Sequence, residues 1–124
     1  MNFELPSIPQ RENRPRNNGV TMVMDKGLSI REAENLIEGS GDLIDIIKLG
    51  FGTSFVTPNL KEKIKLYQDS GMKVYPGGTL FEAFLVRDMF DDFRKFLNDY
   101  NLCTVEVSDG SINLEHELKL EYIN

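Results

Sequence analysis

The chain holds one cysteine and one histidine, and it lacks any apolar run of the roughly 20 residues that a membrane-spanning helix needs. The single thiol, Cys103, cannot form an internal disulfide, and no Cys/His cluster has zinc spacing. Cys103 lies in the apolar run 102–107, so a buried structural thiol is expected there rather than a nucleophile. His116 sits in the charged stretch LEHELKLEY and reads as a solvated helix residue. A Ser-His or Cys-His hydrolase would have to rest on it alone, with nothing nearby in support. Positive charge is also scarce. Fourteen basic residues face 20 acidic ones, a formal net charge of −6, and such a surface repels phosphodiester backbones. Nucleic acid is therefore not an expected partner, although a local pocket can still hold a small anion. No apolar segment precedes the basic residues of the N-terminus, so no secretory signal is read. A cytoplasmic protein with no membrane association is expected.

What is present fits one globular domain. Apolar residues make up 40% of the chain and charged residues 27%, and 124 residues suffice for one core. Residues 1–19 carry three prolines and Arg11, Arg14 and Arg16, and read as an extended arm. A solvated arm, or an ion-paired cover over one end of a barrel, is expected of those arginines ahead of an anion site.

From residue 20 the chain alternates. Residues 20–24 are a β-rich run closed by the turn signal Asp25-Lys26-Gly27. Ser29 and Glu32 have capping-box spacing, and Ile30, Ala33, Leu36 and Ile37 follow at helical spacing. Residues 43–49 predict a second strand, and Pro58 opens a second helix. Residues 72–75 predict a third strand, 79–101 a long helical region and 102–107 a fourth strand. A last helix spans 114–124. This order predicts βαβ units with right-handed crossovers and a parallel sheet. Two architectures fit: a small doubly wound sheet, or half of a closed (β/α)₈ barrel, which typically needs about 200–250 residues or more. Asp45 and Lys48 would be costly inside a sheet covered on both faces, and near a barrel mouth they would face a wet site. The expectation is therefore an α/β fold in which residues 20–124 form the first half of a TIM barrel, ending after the fourth strand.

Ligands of parallel α/β sheets bind beyond the carboxyl ends of the strands, so four loops are candidates. The first offers Asp25 and Lys26. Its alternative reading is a turn in which Asp25 caps a helix. The second, KLGFGTS, offers Lys48, two glycines, Thr53 and Ser54 as a cradle for phosphate or carboxylate. In the third, Gly77 and Gly78 lead into Thr79 at a helix N-terminus, where free amides attract anions. Thr79 with Glu82 could equally be a capping box. The fourth holds Glu106, Ser108 and Asp109. Glu106 suits an acid/base group or a metal ligand, or simply an ion pair with Lys48. Together these loops point to a small anionic ligand and name no reaction.

The strings MDKGL, DIIKLGFGTS, KVYPGGTLFE and VEVSDGS, in this order and spacing, resemble the N-terminal half of the phosphosulfolactate synthase (ComA-type) family. The resemblance runs from about Arg16 to the last residue. It implies a (β/α)₈ barrel and Mg²⁺-dependent addition of sulfite to phosphoenolpyruvate, giving (2R)-2-phospho-3-sulfolactate in coenzyme M or sulfolactate metabolism. By matching position, Lys48 and Glu106 are the implied catalytic residues, with Glu106 the one candidate metal ligand. Asp25, Lys48, Gly77, Gly78, Thr79 and Ser108 are the implied substrate contacts. Relatives continue into a fifth strand with a lysine as general acid, so the fragment alone is expected to be inactive. Its open sheet edges suggest homo-oligomerisation. Two alternatives stay open, a non-catalytic α/β interaction module and an unrelated phosphate-binding barrel such as an aldolase.

Overall fold

The computed structural model describes residues 3–124, so the first two residues of the expected arm lie outside the described residues. Three parallel strands, β1 (Met22–Asp25), β2 (Ile46–Leu49) and β3 (Lys73–Pro76), form one sheet in the order β1-β2-β3. Between them run α1 (Ile30–Ser40) and α2 (Leu60–Asp69). After β3 come α3 (Gly78–Leu85), α4 (Phe90–Asp99) and α5 (His116–Ile123).

Helix α1 starts where its capping box predicts. The Ser29 hydroxyl accepts the Glu32 amide while the Glu32 carboxylate accepts the Ser29 amide, an arrangement worth about 1 kcal/mol. The stretch expected as one helix over 79–101 divides in two, because Asp88 adopts a positive φ of 57° between α3 and α4. Strand β2 is shorter than expected, since residues 41–43 wind into a 3₁₀ turn.

The alternation of the strands decides the architecture. Ile47, Leu49, Val74 and Asp25 point to the helix-covered side and are buried. Ile47, Leu49 and Val74 join Ala33, Ile64, Tyr67 and Met72 in the main core. The intervening residues Met22, Met24, Ile46, Lys48, Lys73 and Tyr75 face the other way and keep solvent contact. Purely parallel sheets are normally covered on both faces. A parallel sheet covered by helices on one face only, with a mixed second face, is a segment of a barrel wall. The fold class is thus the expected one, a parallel α/β barrel segment.

The fourth strand does not form. Residues 102–107 make no ladder with β3, and only Leu102 of this run enters the main core. Cys103 is exposed, not buried as expected, because without pairing to β3 the segment packs only where Leu102 is inserted. A second cluster around Phe81 and Phe93 seats α5 through Tyr122, whose ring lies edge-on to Phe81 at 5.7 Å.

The arm binds the amino ends of the strands. Arg16 pairs with Asp45 at 2.7 Å and donates to the Asp42 carbonyl, while Arg11 reaches Asp45 at 3.3 Å. Arg14 donates to the carbonyls of Ile44 and Ser70. Asp45 therefore lies at the end of β2 away from Gly50, and does not share a mouth with Lys48 as expected. Its charge is met by the arm, and its carboxyl is held below the usual range first by the Thr21 amide and then by Arg16. No helix among the described residues is long and apolar enough to cross a membrane.

Candidate active site

At the carboxyl ends of the strands, a cleft of about 200 Å³ is lined by Lys48, Gly78, Thr79, Glu82, Glu106 and Ser108, with Met24 and Phe51 at its walls. Lys48 is the next-to-last residue of β2, in register with Met24 on one side and Tyr75 on the other. The pleat aims its stem across the uncovered face. Its Nζ lies 2.5 Å from Glu106, and this hydrogen bond holds the ammonium above its ordinary pKa against the opposing effect of burial. Lys48 is thus a fixed cation. A Schiff-base lysine needs the opposite shift, which weighs against an aldolase-type use.

The glycines of the third loop serve close approach. A Cβ on Gly77 would stand 2.9 Å from Lys48 Cε, and one on Gly78 would stand 2.2 Å from Ser108 Cβ. Helix α3 begins at this point with Gly77 as its N-cap and no side-chain cap, so the Thr79–Glu82 capping box, the alternative reading of this loop, is absent. The amides of Gly78 and Thr79 have no backbone partner among the described residues, and both residues line the cleft at the positive end of the helix.

Glu82 turns away from the helix start toward the last loop. Its carboxylate accepts the Ser108 hydroxyl, the Gly110 amide at 2.9 Å and the Ser111 amide at 3.0 Å. Burial would raise this carboxyl, but the bonds from Ser108, Ser111 and Gly110 outweigh it and hold the pKa low. By its place in the sequence Glu82 stands out only as a capping partner of Thr79. An acid inside the apolar helix GTLFEAFL was the signal for more.

Asp25 takes the structural option. It is fully buried, accepts the amides of Gly27 and Leu28, and pairs with Lys63 at 2.9 Å. Tyr67 donates to the same oxygen that meets Lys63, and burial next to this charge pushes the phenol well above its ordinary value. The side chain sits on the helix-covered face and does not line the cleft. Thr53 likewise bonds back to the Gly50 carbonyl, so the second loop lends the cleft Phe51 rather than its hydroxyls. Lys26 lies over the Phe51 ring, 5.6 Å from its centroid.

Asp25 carries a consequence for pH. Burial alone would raise its carboxyl, yet the bonds from Lys63, Leu28 and Gly27 bring it below the ordinary 3.8. A depressed folded pKa gives stability that is present above the unfolded value and lost as pH falls through the folded one. Glu82, held below its ordinary 4.5, adds to the same window. The urea midpoint should therefore stay level as pH falls toward about 5 and drop steeply below about 4. A midpoint that rises on acidification would contradict both assignments.

A divalent cation finds few donors here. No three Asp, Glu, His or Cys side chains gather among the described residues. Glu82 is occupied by its loop, which leaves Glu106, itself held by Lys48. These residues do not form a Mg²⁺ site by themselves.

A barrel-wall segment with a lysine, first-turn helix residues and two carboxylates at the carboxyl ends of its strands has its polar groups where parallel α/β folds place ligand sites. Comparison with known proteins goes further. The family model for (2R)-phospho-3-sulfolactate synthase (ComA) matches residues 9–124, and the chain belongs to that family. It is 38% identical over 117 residues to phosphosulfolactate synthase of Methanothermobacter thermautotrophicus, covering 93% of this chain and 45% of the relative. It is 45% identical over 101 residues to the Methanocaldococcus jannaschii enzyme, covering 80% and 40%. The Bacillus subtilis enzyme is 31% identical over 123 residues, covering 99% and 49%. The chain thus spans less than half the length of each of these relatives.

Proposed function

We propose that this chain forms the phosphoenolpyruvate-holding half of a cytoplasmic phosphosulfolactate synthase, which adds sulfite to phosphoenolpyruvate to give (2R)-2-phospho-3-sulfolactate. The observation that carries this reading is the Lys48 ammonium sharing one cleft with Gly78 and Thr79, the first-turn residues of α3. Sulfur attacks the methylene carbon and the C=C electron pair moves toward the carboxylate, which becomes an aci-carboxylate until C2 is protonated. Lys48 and the helix amides would bind the phosphate or carboxylate and oppose the growing charge. Thr79 would add a hydroxyl, Gly77 and Gly78 the room for backbone approach, Ser108 would line the mouth with its own proton given to Glu82, and Glu106 would tune Lys48.

Lys48 carries +1 against −1 each from Glu82 and Glu106, so these residues alone repel a multiply charged anion. The general acid and further positive charge must come from elsewhere. Mg²⁺ enters the reading as an ion with Glu106 as its one candidate ligand here. The uncovered sheet face and open edges favour association with the rest of a barrel or a second copy.

The test is a fusion of this chain to the remaining part of the Methanothermobacter relative. With Mg²⁺, phosphoenolpyruvate and sulfite, phosphorus NMR should detect the phosphosulfonate from the fusion and none from this chain alone. Lys48→Ala in the fusion should lower kcat/KM by about 10²–10³. A folded fusion whose activity ignores that change would remove Lys48 from the mechanism.

A further inference from the structure

Segment 102–107 carries Glu106 to Lys48 without a backbone ladder to β3, so the sheet does not set its register. Leu102 and Val107 pack it on the two cores and Lys119 holds Asp109 at 2.7 Å, while two further contacts bear directly on the end that carries Glu106. Ser108 is pressed against Gly78, so closely that no Cβ fits between them. Glu82, 4% exposed and without a lysine or arginine partner among the described residues, collects three donors from residues 108–111. A buried carboxylate satisfied only by neutral donors is expensive, and a helix of this composition could have buried a leucine instead. All three of its bonds go to the one loop that follows Glu106.

We infer that Glu82 is a positioning residue: it clamps the 108–111 loop onto α3 and so fixes Glu106 at the Lys48 ammonium. This rests on the cleft being the site proposed above, but the clamp itself involves no substrate. Glu82 makes no ion pair with Lys48 and acts through Ser108, Gly110 and Ser111. The bonds have charge-assisted strength and draw on amides of a turn whose other ties are the Ser108 hydroxyl to the Gly110 amide and the more exposed Lys119–Asp109 pair, 2.7 Å apart. Releasing them frees the loop while the sheet, whose core lies on the opposite face, stays intact.

Zero-length carbodiimide coupling reads the geometry directly, since it joins a lysine and a carboxylate only when they touch. In the wild-type chain it should link Lys48 to Glu106, with the exposed Lys65–Asp69 pair, 2.7 Å apart, as internal reference. Glu82→Gln keeps the shape but faces an amide nitrogen toward one loop N–H. It should remove most of the Lys48–Glu106 link, leave the Lys65–Asp69 link unchanged, and speed hydrogen exchange at Gly110 and Ser111 about tenfold or more. Exchange in β1–β3 should not move. An undiminished Lys48–Glu106 link, with the loop amides exchanging freely, would overturn the inference. Should Glu82→Gln not fold, Ser108→Ala removes one donor of three and should give a partial loss of the link, and an unchanged link there overturns the inference equally. Because no phosphoenolpyruvate or sulfite enters, failure of the clamp and failure of the proposed reaction are read separately.

Discussion

Replacing Lys63 by methionine should destabilise this chain by about 3–5 kcal/mol, because it strands the Asp25 carboxylate without its cation. Lys63 is 1% exposed and Asp25 is fully buried, so water cannot take over the lost interaction. Lys63 also donates to the Leu28 carbonyl at 2.8 Å, a second bond that would go unreplaced. Domains of ordinary size are stable by only about 5–15 kcal/mol, so urea denaturation should show a variant near the edge of folding. Changing Asp25 to Asn in the same chain should return most of the loss. The amide oxygen still accepts from Gly27 and Leu28, and no buried charge is left unpaired. If Lys63→Met melts like the wild type, the pair is a bystander and the burial argument fails.

Gly78→Ala should be the second most damaging small change, and its damage should be local. The added carbon would lie 2.2 Å from Ser108 Cβ, 2.7 Å from its hydroxyl and 3.1 Å from Glu106. The first of these is close to the backbone and cannot swing aside, so the 106–111 loop must lift. Such overpacking costs about 1–3 kcal/mol, and here it also parts Glu106 from Lys48. Gly39→Ala is the matching control. Nothing lies within 4 Å of its added carbon, and it stands inside α1, where alanine should gain about 0.5–1 kcal/mol. Urea midpoints of the two variants should therefore move in opposite directions, with amide shifts at Gly110 and Ser111 confined to Gly78→Ala. Equal midpoints would refute the close packing of loop on helix.

Local signals made much of the fold legible. Helix α1 announces itself through Ser29 and Glu32, and β1–β3 through short apolar runs closed by Asp-Lys-Gly, Gly-Phe-Gly and Pro-Gly-Gly. The motif order also led to the family, and Lys48, Gly78, Thr79, Glu106 and Ser108 do meet in one cleft. What failed depends on partners distant in sequence. Residues 102–107 have strand composition, but a ladder needs a register with β3 that composition does not specify. Asp45 looked like a mouth residue because its arginine partners lie 29 and 34 residues earlier in an arm of no regular structure. Asp25 sits at a strand end, as a ligand residue would, and only the placing of Lys63 and Tyr67 on α2 makes it structural. Glu82 differs from an ordinary helix acid only through a loop 26–29 residues downstream.

The alternation along β2 has an engineering consequence. Ile47 and Leu49 belong to folding, while Ile46 and Lys48 belong to the open face, and a single step along the chain separates the two roles. Libraries built at Met22, Met24, Ile46, Lys48 and Tyr75 can therefore explore new binding chemistry with the packed core left untouched. A one-residue insertion ahead of β2 would do the reverse, turning Lys48 toward Tyr67 and the core while Ile47 faces the cleft. Point substitutions on this wall are cheap to evolve; shifts of frame within it are not.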